Sequence, residues 1–229
     1  MNRNHQDLSL GETIAVAKKD YFDKAFDNKY SALKKEFLKT MRYRQNYPLR
    51  MQVSWTHPTS KNNWIISLRA YNKSQKKTGN LRLAIGFTFR RKEGRYLLMP
   101  ITANGTQGTW ALMPPHFFKR YRQRILKEKD TTTLSVIETY LERNPALAAS
   151  PTGSTFPGIT DYSKEKTFFA KIPDGTVFGT YETLSQKTSV LIVKTIVRDD
   201  MLFENQHDEQ DWLKEEVEFI MNKKTTAKK

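Results

Sequence analysis

WIISLRAYNKSQKKTGNLRLAIGFTFRRKEGRYLLMPI, residues 64–101, decides the fold. Three runs inside it, Trp64–Tyr71, Leu81–Phe89 and Arg95–Ile101, read as strands with a period of two. They are separated by the turn-rich stretches NKSQKKTGN and RRKEG. In the middle run Leu81, Leu83, Ile85, Phe87 and Phe89 fall on one face, as in a strand with a buried side. Short turns rather than helices join the runs, so the strands pair as an antiparallel meander and not as βαβ units.

Working outward, MQVSWTH (51–57) adds an edge member, and GTWALM (108–113) closes this first strand block at residues 51–113 after TANGTQG. A second block spans 166–198: KTFFAKI, the Asp174-Gly175 hairpin signal, TVFGTYE, and SVLIVKTIV, whose near-continuous apolar run reads as a central strand. Before the first block, Ile14, Ala17, Tyr21, Ala25, Phe26, Tyr30, Leu33, Phe37 and Met41 recur at helical spacing. They predict one long helix or two within residues 1–47, with a break near Asp27-Asn28 and an end before Pro48. Its lysines, Lys18, Lys19, Lys24, Lys34, Lys35 and Lys39, read as a solvated face. Between the blocks lies a helix pair over 115–143, hinged at Asp130 as N-cap of the second helix, followed by a loop rich in Ser, Thr, Pro and Gly. An acidic helix at 208–222 and a disordered basic tail at 223–229 end the chain. The expectation is a single α+β domain over 1–222: a mainly antiparallel sheet of six to eight strands with a long N-terminal helix, a central helix pair and a C-terminal helix.

Composition bounds the function. The chain has 229 residues and no cysteine, which removes disulfides, thiolate catalysis and zinc-finger chemistry and favours a reducing interior. The longest apolar stretches are strand-sized and the N-terminus lacks the apolar run of a signal peptide, so a cytoplasmic protein without a membrane partner is expected. Thirty-nine Lys and Arg against 24 Asp and Glu give a net charge of +15, and +11 remains without Lys223, Lys224, Lys228 and Lys229. Such an excess attracts polyanions.

PPHFFKRYRQRILKEK, residues 114–129, concentrates six cations and one carboxylate around His116. As a helix it places Phe117, Phe118, Tyr121 and Ile125 on one side and His116, Arg120, Gln123 and Lys127 on the other, with Lys119 and Arg124 at the margins. A helix start and neighbouring guanidinium groups both disfavour the imidazolium, so His116 is expected to be neutral, and the same features attract phosphate. Metal-free RNA cleavage needs a base for the 2′-hydroxyl, an acid for the leaving oxygen and cations for the phosphorane. Here His116 is the candidate base, Arg120 and Arg124 the phosphate clamp, and Lys119, Arg122, Gln123 and Lys127 further nucleic-acid contacts. His57 is an acid candidate on residue type alone. Capping or a surface position explains His116 as well, and Tyr121 and the tryptophans Trp55, Trp64 and Trp110 read first as core. HDEQD (207–211) reads as helix-start capping, so no metal and no cofactor is expected.

The run His116-x-x-x-Arg120-Tyr121-x-x-Arg124, followed by a second helix and by strands ending in VLIVKTIVRDDML, resembles the helix-then-sheet block of small RelE- and BrnT-type toxin ribonucleases. The local likeness covers about a dozen residues, and the element order extends it over the C-terminal half. The resemblance implies a compact antiparallel sheet flanked by helices, metal-independent RNA cleavage, and a protein partner such as an antitoxin. The N-terminal half has no counterpart in those short toxins. Two functions follow: a metal-independent endoribonuclease of toxin or phage-defence type, with RNA favoured over DNA, or a non-catalytic nucleic-acid-binding or assembly protein. The oligomeric state is open.

Overall fold

The computed structural model describes residues 7–101, 108–128, 130–145, 147–151, 167–185, 188–202, 214–215 and 217–218. Two helices open the chain, α1 (Leu10–Tyr21) and α2 (Lys24–Thr40). Ser9 and Glu12 form a reciprocal capping box on α1. The break falls at Phe22–Asp23 rather than at Asp27-Asn28, because the Asp23 side chain accepts from Ala25 N at 2.9 Å and caps α2. Asp27 sits inside the first turn of α2, where a carboxylate suits the helix dipole. Ile14, Ala17, Phe26, Leu33 and Phe37 form the buried stripe.

The strands are β1 (Leu49–Thr56), β2 (Asn63–Ala70), β3 (Arg82–Arg91), β4 (Gly94–Pro100), β5 (Gly108–Met113), β6 (Ala148–Pro151), β7 (Thr167–Ile172), β8 (Gly175–Ser185) and β9 (Thr188–Val197). They make one nine-stranded sheet in the order β1-β2-β3-β4-β5-β9-β8-β7-β6. Every neighbouring pair is antiparallel except β5 and β9. The architecture is the α+β class expected, and the added strand is β6, four residues in a stretch whose Pro- and Ser-rich composition shows no alternation. The turn stretch after β2 holds a short helix, α3 (Lys73–Thr78), capped by Asn72 and stopped by Gly79 in the left-handed region.

Helices cover both faces. On β2, Trp64, Ile66 and Leu68 pack with α1 and α2, whereas Ile65 points the other way, into a core with α4 (Pro115–Tyr121) and α5 (Thr133–Arg143). Strand β9 serves both layers, Val190 in the first core and Leu191 and Val193 in the second. The N-cap of α5 is Thr132, whose hydroxyl accepts from Ser135 N at 3.2 Å; Asp130, the expected cap, precedes the helix. Helix α5 comes close enough to the sheet that a Cβ on Gly86 would lie 2.9 Å from Leu141 Cδ1. Trp64 and Trp110 are core residues, and Trp55 packs edge-on against Phe26. Of the expected helix 208–222, Lys214, Glu215, Val217 and Glu218 are described and helical, with Val217 buried; the tail 223–229 lies outside the described residues. Among the described residues no helix is long and apolar enough to cross a membrane.

Candidate functional site

The cationic face of α4 rests on an irregularity in β9. Pairing with β8 runs Phe178↔Thr195 and then Gly179↔Val193, so the register shifts by one residue at Lys194, a β-bulge. On its other side β9 pairs with β5 only as far as Ile192. The backbone from Lys194 onward therefore lacks strand partners towards β5, and α4 supplies donors instead. Arg120 Nη1 donates to Lys194 O at 3.3 Å, and Arg124 Nη1 donates to Ile196 O at 2.8 Å and to Thr195 Oγ1 at 3.3 Å. Bulges of this kind re-aim side chains and cluster beside functional sites.

His116 joins the same row. It lies one turn before Arg120 on α4, with the Lys194 backbone nearby. Its pKa is lowered, chiefly by partial burial and then by the Arg120 guanidinium, with the Lys194 ammonium adding to the effect and the carbonyl contact opposing it. The residue is nevertheless on the surface. An imidazole biased towards its neutral form thus stands beside Arg120 and Lys194, with Arg124 one turn further along the chain. Lys194 was invisible as a site residue in the sequence; the one signal was a lone cation interrupting an apolar strand.

The remaining predicted contacts divide. Lys119 and Gln123 are exposed on the same helix. Arg122 belongs elsewhere, because its Nη1 donates to Thr131 O at 3.0 Å and ties down the connection to α5. After Tyr121 the chain widens into a π-helical turn, Arg122–Leu126, so the regular advance of 100° per residue no longer holds. Lys127 follows in the left-handed region at φ 58° and ends the helix instead of continuing its face. Pro114 caps α4 without a side-chain bond, and the helix has only seven residues, so the cations and not the helix start carry the attraction for anions.

His57 does not converge on His116. It is 1% exposed, in the β1–β2 turn under α1 and α2, where Nδ1 accepts from Thr59 N at 3.3 Å and Ser60 N at 3.2 Å. Its Nε2 faces Asp23 Oδ2 at 3.7 Å without a hydrogen bond. Beside it the buried Asp20 accepts from Ser60 Oγ, Asn62 Nδ2 and Trp64 Nε1, which pins this turn to the end of α1. Tyr121 is core, as read, but its hydroxyl joins a network the sequence did not reveal. It donates to Asp174 Oδ2, which also accepts from Asn144 Nδ2 at 2.8 Å, while Arg143 binds both Asp174 oxygens. Burial raises the Asp174 pKa, yet the bonds from Arg143, Tyr121 and Asn144 together outweigh it and hold the group below its ordinary value. This hub fastens the β7–β8 hairpin to the end of α5. Where β3 and β4 diverge below Phe87 and Leu98, a cavity of about 250 Å³ opens, lined mainly by apolar side chains such as Leu83, Ile85 and Met99 with Arg82 as its one cation. Among the described residues no group of His, Asp and Glu could hold a metal ion; HDEQD lies outside them. Compared with known proteins, the chain has no significant match to a family model, a curated protein or a solved structure.

Proposed function

We propose that this protein binds nucleic acid, RNA in preference to DNA, and that the His116–Arg120–Arg124 face of α4 engages the phosphates. The observation that carries this is the pair of exposed guanidinium groups over the β9 bulge, Arg120 and Arg124, both held by β9 backbone carbonyls and neither paired with a carboxylate among the described residues. Arg120 and Arg124 each spend one Nη on β9, and a guanidinium has five N–H donors, so both retain donors for a phosphate while the strand holds them in place. The net charge of +15 supports the same reading.

A second reading, metal-independent RNA cleavage, is favoured by one specific feature: an exposed imidazole one turn before Arg120 is biased to its neutral form by partial burial and cationic neighbours. In that case His116 takes the 2′-hydroxyl proton while Arg120 and Arg124 hold the phosphate. A protein partner of antitoxin type, as the toxin resemblance implies, would meet the same cationic face.

The binding test is fluorescence anisotropy with a labelled single-stranded RNA over a series of salt concentrations. Affinity is expected to fall steeply as salt rises. The Arg120→Gln/Arg124→Gln double variant keeps amide donors for the β9 carbonyls but removes two charges, and should reduce the salt slope by about two. Affinity undetectable at low salt, or an unchanged slope in the double variant, would overturn the assignment.

A further inference from the structure

A second basic surface lies at the opposite edge of the sheet, and nothing in the α4 site uses it. The segment from Met41 to Arg50, MRYRQNYPLR, links α2 to β1 and packs against α3. Lys76 of α3 holds this segment in shape: its Nζ donates to the carbonyls of Met41 at 3.3 Å, Arg42 at 3.1 Å and Arg44 at 2.8 Å, and lies 5.9 Å from the Tyr47 ring centre. Held in this way, Tyr43 projects into solvent at 84% exposure, the most exposed large hydrophobic side chain among the described residues. Arg42 sits over its ring at 5.5 Å. Two grooves flank the segment and share Gln45. One, of about 540 Å³, is lined by Arg42, Tyr47, Lys73, Lys76 and Lys77 together with Leu38 and Gln45; the other, of about 790 Å³, is bordered by Tyr43, Arg44 and Arg50. Neither is lined by a carboxylate. Of these cations only Arg50 has an acidic partner among the described residues, Glu142 at 3.4 Å.

We propose that this surface is a binding site for single-stranded nucleic acid, with an unpaired base stacked on Tyr43 and the flanking phosphates held by Arg42, Arg44, Lys73 and Lys77. The inference rests on the nucleic-acid reading above and adds a second contact to it. A largely exposed aromatic ring flanked by cations without acidic partners is the combination that single strands recognise, since every base offers a flat face and every linkage a charge. A base inside a duplex cannot reach such a ring, so the preference is for unpaired strands. The site lies by β1, and four strands separate β1 from β9. At about 4.8 Å per strand step that is roughly 25 Å, so the two surfaces are distinct contacts along one bound strand.

The test uses the full chain and a short fluorescein-labelled oligouridylate, alone and annealed to its complement, at low salt. Tyr43→Ala should weaken single-strand binding by about ten-fold or more, Tyr43→Phe should restore it, and the duplex should be insensitive to either change. Photo-crosslinking with 5-bromouridine in the oligomer should mark the peptide that contains Tyr43. Because Tyr43 is exposed, both variants should melt with the wild-type protein, and the thermal transition checks this. Wild-type protein that binds no oligomer overturns both readings. Binding that Tyr43→Ala leaves intact, with the crosslink on α4, overturns this inference alone. Tyr43-dependent binding to vesicles of anionic lipid, or to an acidic peptide, without binding to the oligomer also overturns it.

Discussion

His116 owes its state to partial burial and to two cationic neighbours, Arg120 and Lys194, which favour the neutral ring against the opposing effect of the Lys194 carbonyl. A lowered pKa has a direct kinetic consequence if the ring is a base. Cleavage of an RNA substrate should rise as pH increases through a value below the ordinary 6.5, because deprotonation creates the active form, and it should already be level at neutral pH. Chelators should leave it unchanged. The informative variant is His116→Asn, which keeps a polar side chain at this exposed position but cannot take a proton. It should lose roughly 10²-fold or more in rate while binding RNA as before. Cleavage by His116→Asn at the wild-type rate would assign His116 to the support of β9 only, and wild-type protein that binds RNA but cleaves none across this pH range would favour the non-catalytic function.

At the scale of elements, the β9 bulge is what joins fold to site. Beside the bulge, β8 places Gly179 opposite Val193, and a Cβ there would lie 2.0 Å from Ile192 O and 2.7 Å from Phe168 Cε1. Gly179→Ala must therefore push β8 and β9 apart, at a cost of roughly 3 kcal/mol, which for a chain of this size lowers the melting temperature by roughly 6–12 °C. Gly11→Ala, in the first turn of α1 with nothing within 4 Å of the new Cβ, should instead raise stability by up to about 1 kcal/mol. Calorimetry on the two variants checks both signs; an unshifted Gly179→Ala transition would mean that the strands give way freely. This bulge also marks where sequence reading stops. The strands were legible because each carries its own period-two pattern, and the amphipathic split of residues 116–124 was legible because helical spacing is local. Where the register of β9 shifts depends on its pairing with a distant strand, and no local pattern records it. Arg120 and Arg124 were thus legible as cations but not as donors to Lys194 and Ile196. The cap at Asp23 was missed for a related reason: Asp23 and the Asp27-Asn28 pair are both plausible helix breaks, and only burial of Phe26 against Trp55 and Trp64 selects between them.

Across the whole molecule, two antiparallel meanders meet at the single parallel pair of β5 and β9. This joint does not behave as a domain boundary, because β9 contributes Val190 to the core under α1 and α2 and Leu191, Val193 and Ile196 to the core under α4 and α5. Peeling β9–β6 away would expose both cores at once. The Asp174 hub strengthens the coupling, since it ties the β7–β8 hairpin to Tyr121 of α4 and to Arg143 and Asn144 at the end of α5. The expected outcome is one cooperative unfolding transition. Three of the four tryptophans, Trp55, Trp64 and Trp110, lie in the first meander, so in a Trp212→Phe variant the fluorescence reports that half, while far-ultraviolet circular dichroism reports the whole sheet. In urea the two signals should trace the same curve with the same midpoint. Circular dichroism that survives beyond the fluorescence transition would show that β6–β9 hold together on their own. The shared cores would then be weaker than their burial implies, and the α4 surface would stand on an independently folded half.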